Sequence, residues 1–483
     1  MGEGGMATPF LEIFGIKKFL LRIYGFNFDV IYILKSLYIT FMLKLIKLLL
    51  FISIVTLDCN AQDQGFQFHR DNKRSYKVNF VNFNNLIIME VKLNGQPMNF
   101  LIDTGVDKTV VFGLKEKENI LKQTSKKILI KGVSGQHKTF AYKVENNTLS
   151  IDKFKDQSHD VYVIFDDKFN VSDKIGYPVQ GILGYDFFKN HVFKINYSKA
   201  FIKIYNPKYF NKKLRSYSKL KLRIHKGKPY VKALINVLDE WHEFIFLIDT
   251  GSGDAIWLKP NANTEIPNKN FEDILGYGFA DVIEGIRSKA HSFKIGDIKL
   301  EKPKIAYPDT TSYKGVNFTD KSGVLGSEVL KRFHWILDYK NGAVYLKPNR
   351  FFEDIFNYDM SGLLLKYDGF QARTYFQNIF PQTNTNKRSS NATQRIETKA
   401  KVFVQLEPIL KIGAIRPNSS AFEAGFIEGD IITKIQGRRS DRYDLEEITK
   451  LLSSEEGKEI KFEIKRGGRI YEKSLILKSR FLE

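Results

Sequence analysis

The hexapeptide Phe-Leu-Ile-Asp-Thr-Gly occurs twice in this chain, at residues 100–105 and 246–251. A carboxylate that closes an apolar run is costly to bury unless it is partnered or used. Keeping one in two places therefore constrains what the chain can fold into. Set in register, the two hexapeptides expose a longer repeat. GILGYDFFKNHVFKINYSKAFIKIYNP begins at Gly181, 78 residues after Asp103, and GVLGSEVLKRFHWILDYKNGAVYLKPN begins at Gly323, 74 residues after Asp249. Each copy reads as Gly-apolar-Leu-Gly, a short amphipathic turn of helix, then two strands around a turn, with Asn341-Gly342 a strong hairpin signal. Residues 75–207 and 218–349 are read as two copies of one unit.

Between these anchors both copies alternate apolar and polar residues with a period near two, broken by Gly-rich turns. The expectation is a mainly β fold in each half. Gly132 and Gly135 in the first half, and Gly276, Tyr277 and Gly278 in the second, occupy matching places after the aspartates. They suit either mobile hairpin tips over a site or plain β-turns, and on local sequence the plain turn is favoured.

Past Pro348 the pattern changes. Residues 381–401 (PQTNTNKRSSNATQRIETKAK) have almost nothing to bury and are expected to form a long disordered loop. Around them, residues 359–480 resemble a PDZ domain of the bacterial type. IRPNSSAFEAGFIEGDIITKIQGRR follows that family's order of strand, Pro-turn, small helix, Gly-Asp and strand, with Gly425, Gly429 and Asp430 in place. The resemblance implies binding of an extended peptide as an added strand, with Ser361, Gly362, Leu363 and Leu364 as the peptide-binding loop. That loop departs from the family's usual Gly-Leu-Gly-Phe, which bears on capture of a terminal carboxylate.

The start of the chain carries a different message. From Met42, Lys44 and Lys47 precede an apolar run, Leu48 to Leu57, and Cys59-Asn60-Ala61 supplies small residues for cleavage. This is the pattern of a secretory signal at 42–61, cleaved after Ala61. The run is short of the about 20 residues that cross a bilayer. A lipid anchor on Cys59 is the weaker alternative, because Asp58 stands where a small residue is expected. Residues 1–41 fit no targeting pattern and suggest an over-called start. Cys59 is the only cysteine, so a chain cleaved after Ala61 has none, which fits a periplasmic or cell-surface location. The net charge of +21 is scattered along strand-like segments, without the stripe or motif of a nucleic-acid binder. Eight histidines show no metal-ligand spacing, and neither a metal nor a cofactor is expected. Trp257 and Trp335 read as core.

Two aspartates at equivalent places in duplicated β units suit a dyad that shares a water and a proton. Two carboxylates about 3 Å apart do not both ionise cheaply, so one holds a proton while the other is charged. The charged member can take a proton from water attacking a peptide carbonyl, and the protonated one can donate to the developing oxyanion. Thr104 and Thr250 can hydrogen-bond across the pseudo-twofold axis, and Gly105 and Gly251 permit the tight turns. With its paired Asp-Thr-Gly and downstream apolar-Leu-Gly, the chain resembles the retropepsin-like and pepsin-like aspartic proteases over residues 75–349. The resemblance implies two β-barrel lobes in one chain, with Asp103 and Asp249 as the catalytic pair. Ile182-Leu183-Gly184 and Val324-Leu325-Gly326 would thread beneath them as scaffold. Ser252 follows Gly251, where its hydroxyl can reach the outer oxygen of Asp249. Val106 holds that place in the first half and cannot.

The expected function is an exported aspartic endopeptidase, monomeric with an intramolecular site, acting on polypeptides that its PDZ domain recruits. Two rivals stand beside it. One is an inactive scaffold that binds peptides through both folds, and the other is an enzyme needing a second chain to complete its site.

Overall fold

The computed structural model describes residues 33, 36–45, 47, 65–68, 74–114, 126–131, 138–166, 169, 171–210, 214–259, 265–277, 282–309, 322–379 and 399–480. Two units divide the chain, Met1–Gln64 and Gly65–Glu483. In the first unit residues 36–45 are helical and exposed. Cys59, with most of the signal region, lies outside the described residues. No helix among the described residues is long and apolar enough to cross a membrane.

The second unit is mainly β. Its first lobe is a nine-stranded sheet, its second a ten-stranded one. Both are built around the same three-strand motif. In the first lobe Gln96–Ile102 runs parallel to Gly181–Leu183, which pairs antiparallel with Thr109–Phe112. In the second, Glu240–Ile248 runs parallel to Ser322–Leu325, which pairs antiparallel with Ile256–Leu258. Strands at the centre of such a sheet are covered on both faces, and accordingly Thr109–Phe112 and Gly181–Leu183 are buried throughout. Strands nearer the surface alternate, as Phe154–Ile164 does.

The repeated letters of the sequence have a packing reason. Gly181 pairs with Phe100, and a β-carbon on Gly181 would lie 2.3 Å from the Phe100 ring. Gly323 pairs with Phe246, and its β-carbon would lie 2.5 Å from that ring. The opening glycine of each Gly-apolar-Leu-Gly is thus the space into which the opening Phe of each hexapeptide packs. Both rings are fully buried, and each is worth about 1.5–3 kcal/mol of burial.

A six-stranded sheet joins the lobes. Its order runs Ser218–Lys221, Ala343–Pro348, Phe333–Asp338, Val192–Asn196, Phe201–Tyr205, Ser75–Asn79. The central pairing, Val192–Asn196 against Phe333–Asp338, puts one copy of the repeated hairpin beside the other. The first lobe also reaches back before residue 75. Gln67–Phe68 pairs with Phe154–Ile164, and the Phe66 ring stacks on Phe154 at 5.1 Å.

The third domain is a six-stranded sheet with helix Leu445–Leu452, which begins in a capping box between Asp444 and Glu447. Its Leu363–Ile379 and Lys399–Ile415 form one long antiparallel hairpin. The disordered loop expected at 381–401 is therefore too long at its C-terminal end, because Lys399, Ala400 and Lys401 already pair as strand. Residues 380–398 lie outside the described residues.

Candidate active site

Each aspartate leaves the end of its strand with its main chain tied to the strand alongside. The Asp103 N–H donates to the Leu183 carbonyl at 3.0 Å, and that of Asp249 to the Leu325 carbonyl at 3.0 Å. One residue on, the lobes interlock. The Thr104 hydroxyl donates to the Ile248 carbonyl at 2.6 Å and accepts from the Thr250 N–H at 3.1 Å. The Thr250 hydroxyl donates to the Ile102 carbonyl at 2.7 Å and accepts from the Thr104 N–H at 3.1 Å. Both threonines are buried, so these four bonds are shielded from water and strengthened accordingly.

The next residues close the turns. Gly105 N–H donates to Asp103 Oδ1 at 2.7 Å, and Gly251 N–H donates to Asp249 Oδ1 at 2.9 Å. A β-carbon on Gly105 would sit 2.9 Å from the Asp249 carboxyl, and one on Gly251 only 2.2 Å from Asp103 Oδ2. Each lobe's glycine therefore lies against the other lobe's aspartate, which brings the two carboxyls together at the lobe boundary.

Beneath the turns, the segments expected as scaffold act as such. Tyr185 N–H, after Ile182-Leu183-Gly184, donates to the Val106 carbonyl at 3.0 Å. Ser327 N–H, after Val324-Leu325-Gly326, donates to the Ser252 carbonyl at 2.7 Å. A β-carbon on Gly184 or Gly326 would come within 2.3 Å of the carbonyl of Val106 or Asp254.

The dyad is not symmetric. Burial raises the pKa of Asp103 well above the usual carboxylate range, and the Asp249 charge adds to this. Asp249 is raised by burial too, but the Gly251 N–H, the hydrogen bond with Asp103, Lys228 and the Ser252 N–H all oppose it. Asp249 Oδ1 accepts two main-chain N–H groups and Asp103 Oδ1 one, which favours the charge on Asp249 and the proton on Asp103. The sequence difference between Val106 and Ser252 acts here differently from expectation. It is the main-chain N–H of Ser252, not its hydroxyl, that donates to Asp249, at Oδ1 and 3.1 Å.

Two tyrosines at matching repeat positions were missed in the sequence, although both follow the first strand of the repeated hairpin. Tyr197 meets the Ser327 hydroxyl at 3.2 Å, and that hydroxyl is 3.2 Å from the Thr250 carbonyl. In the first lobe Tyr185 takes the place of Ser327, with its ring 6.0 Å from Tyr339. The buried Tyr339 hydroxyl has no hydrogen-bond partner among the described residues.

A buried chain of charges runs outward from the second turn. Asp254 accepts from Trp257 Nε1 at 2.8 Å and pairs with Arg287 at 2.7 Å. Arg287 also pairs with Asp273 at 2.5 Å, and Asp273 with Arg416 of the third domain at 2.7 Å. Burial works against an ionised Asp254, yet Arg287 and then Lys304 outweigh it and hold its carboxyl below the usual range. Trp257 is thus not simple core as expected. It is partly exposed and anchors Asp254, whereas Trp335 is core.

The hairpins that would carry mobile tips exist in both lobes. They are Lys126–Lys131 with Lys138–Ile151, and Asn270–Tyr277 with Val282–Lys289. Gly132, Gly135 and Gly278 lie outside the described residues, as does the Tyr277 side chain. Gly276 sits at a register shift with φ +154°. No group of residues that could hold a metal ion occurs among the described residues.

In the third domain Gly362 (φ +80°) could not carry a side chain, since a β-carbon would lie 2.2 Å from Ser419. Its N–H does not point to an open site but donates to Asp359 Oδ1 at 2.6 Å, and Leu363 N–H donates to the Ser361 hydroxyl at 3.0 Å. Leu363 and Leu364 line a cavity of about 200 Å³ between this domain and the second lobe.

The fold and the paired turns define two lobes of aspartic-protease architecture followed by a third β domain. Comparison with known families agrees. Residues 89–187 match the aspartyl protease family model, and residues 411–466 match the PDZ domain model. The chain thus carries an aspartyl protease domain and a PDZ domain. No curated protein matches it.

Proposed function

We propose that the protein is an aspartic endopeptidase that hydrolyses peptide bonds with a water activated by Asp103 and Asp249. One observation carries this reading. The two carboxyls meet across the lobe boundary, each against the other lobe's turn glycine, with two main-chain N–H groups on Asp249 and one on Asp103. Asp249 acts as the base that takes a proton from water as it attacks the carbonyl carbon. Asp103 donates its proton to the developing oxyanion; as the tetrahedral species collapses, Asp249 passes the water's proton to the leaving nitrogen and a gem-diol hydroxyl returns one to Asp103. Gly105, Gly251 and Ser252 fix the inner oxygens, and Thr104 and Thr250 hold the two turns in register. Both carboxyls come from one chain, which supports an intramolecular site. The PDZ domain supports polypeptides as substrates or partners.

The test is hydrolysis of a mixed peptide pool from pH 3 to 8 by the protein and by its Asp103→Asn and Asp249→Asn variants. Cleavage lost in both variants supports the dyad. Cleavage retained in either, or absent from a folded parent, overturns it. We further propose export through the signal at 42–61. Mass spectrometry of the mature N-terminus checks this, with Gln62 expected as the first residue.

A further inference from the structure

Strand Leu363–Ile379 lies at the edge of the PDZ sheet, pairing among the described residues only with Lys399–Ile415. Helix Leu445–Leu452 lies beside its first residues, and Leu363, Leu364 and Thr449 line one cavity. An edge strand beside a helix is where such a domain receives an extended peptide as an added strand. In this chain both ends of that groove are already engaged.

At one end stands the first lobe. A β-carbon on Gly176 would lie 2.3 Å from Leu445 Cδ1 and 3.4 Å from Tyr367 Cδ2. Gly176 closes the helical turn Ser172–Ile175, which packs on the edge strand. Around it Phe169, Val171 and Val179 join Leu363, Leu445 and Ile448 in a continuous apolar cluster. At the other end the Asp359 carboxylate accepts from Gly362 N–H and from the Ser361 hydroxyl, at 2.6 Å and 2.9 Å. The donor that would meet an incoming terminal carboxylate therefore already holds one. Arg416, which lines the same cavity, donates to the Asp359 carbonyl at 3.2 Å and is paired with Asp273.

We propose that the PDZ groove is closed by the protein's own chain, through residues 171–177 and the Asp359 carboxylate. Its partner is then an extended apolar polypeptide that displaces 171–177 and pairs with the Leu363 edge without needing a free C-terminal carboxylate. A helical turn fills the groove with side chains, whereas an extended peptide can run main-chain hydrogen bonds along the edge strand. The occupant is also built to leave as a unit. The Ser172 hydroxyl donates to the Val179 carbonyl at 2.6 Å and accepts from the Val179 N–H at 3.1 Å, which closes the segment on itself. Binding at this groove is separable from hydrolysis.

The test uses the full chain with Asp103→Asn, so that no probe is cut. Fluorescence anisotropy follows a labelled decapeptide rich in Val and Leu, as free acid and as amide. Without further change, both forms should bind weakly and within about threefold of each other. Ile175→Ser with Tyr177→Ser should tighten both at least about tenfold, and Asp359→Ala should tighten the free acid alone by as much. Tight, acid-selective binding by the chain without these changes overturns the proposal, as does unchanged affinity in variants that circular dichroism shows to be folded. Hydrogen exchange offers a check free of groove variants. Saturating peptide should speed exchange at residues 171–179, and no change there overturns the proposal.

Discussion

Gly251 lies against Asp103, its missing β-carbon only 2.2 Å from the Oδ2 of the other lobe's aspartate. The reciprocal contact, Gly105 with Asp249, is looser at 2.9 Å. A methyl group at Gly251 must therefore push the Asp103 carboxyl away, while one at Gly105 needs a smaller shift. Gly251→Ala is expected to lower kcat by at least about 100-fold, near 3 kcal/mol of transition-state stabilisation, and Gly105→Ala by less. Steady-state hydrolysis by the two variants, each verified by thermal melt, checks the order.

The paired threonines make an interlobe lock with no exposed member. Thr104→Val leaves the Ile248 carbonyl and the Thr250 N–H without their partner, and Thr250→Val does the same to Ile102 and Thr104. Each single change should cost about 1–3 kcal/mol. Because the two hydroxyls also meet each other, at 3.5 Å, the double variant should cost less than their sum. Urea denaturation of all four proteins measures the cycle.

Stability should also respond to the dyad's proton. The folded state holds the Asp103 proton above the pH at which an unfolded aspartate loses it, so parent stability falls as pH rises from about 4 towards the raised folded pKa. Asp103→Asn removes that cost. It should melt higher than the parent at pH 7, with the difference vanishing as the pH is lowered below about 4. A lower melt at pH 7 would contradict the assignment of the proton. Hydrolysis should weaken on the acid side as Asp249 is protonated, and on the alkaline side as Asp103 loses its proton.

Arg287 neutralises two buried carboxylates at once. Arg287→Met takes from Asp254 its ion pair and from Asp273 one of two, and a loss of about 3–5 kcal/mol is expected. Adding Asp254→Asn should restore part of it, since the carboxylate left without an ion pair is removed. Denaturant midpoints of the single and double variants settle the sign.

What the sequence made legible was what the duplication repeats. The Phe-Gly contacts, the Asp-Thr-Gly turns and the Leu-Gly segments beneath them appear twice as letters because each copy solves the same packing problem. The charge chain is different. Asp254, Arg287, Asp273 and Arg416 occur only in one lobe and the PDZ domain, are widely separated in sequence, and obey no periodicity. Ser252 shows a subtler limit: its hydroxyl suggested a bond that its amide makes, and an amide is the same in every residue but proline. Nothing in the letters 171–177 marks them as filling the PDZ groove, since apolar residues around a turn also describe an ordinary core contact. The hairpin arm at 399–401 was misread because Lys399-Ala400-Lys401 shows no apolar alternation, although its main chain pairs with residues 377–379.

The six-stranded sheet has a consequence for how the protein behaves at low abundance. A cleft assembled from two identical chains exists only while those chains meet, so it fades on dilution. Here the central pairing of Val192–Asn196 with Phe333–Asp338 is a contact of one polypeptide with itself. Both Asp-Thr-Gly turns of the proposed site are thus supplied by a single polypeptide. The halves have also been free to drift apart, and Val106 opposite Ser252 and Tyr185 opposite Ser327 are the record of that freedom.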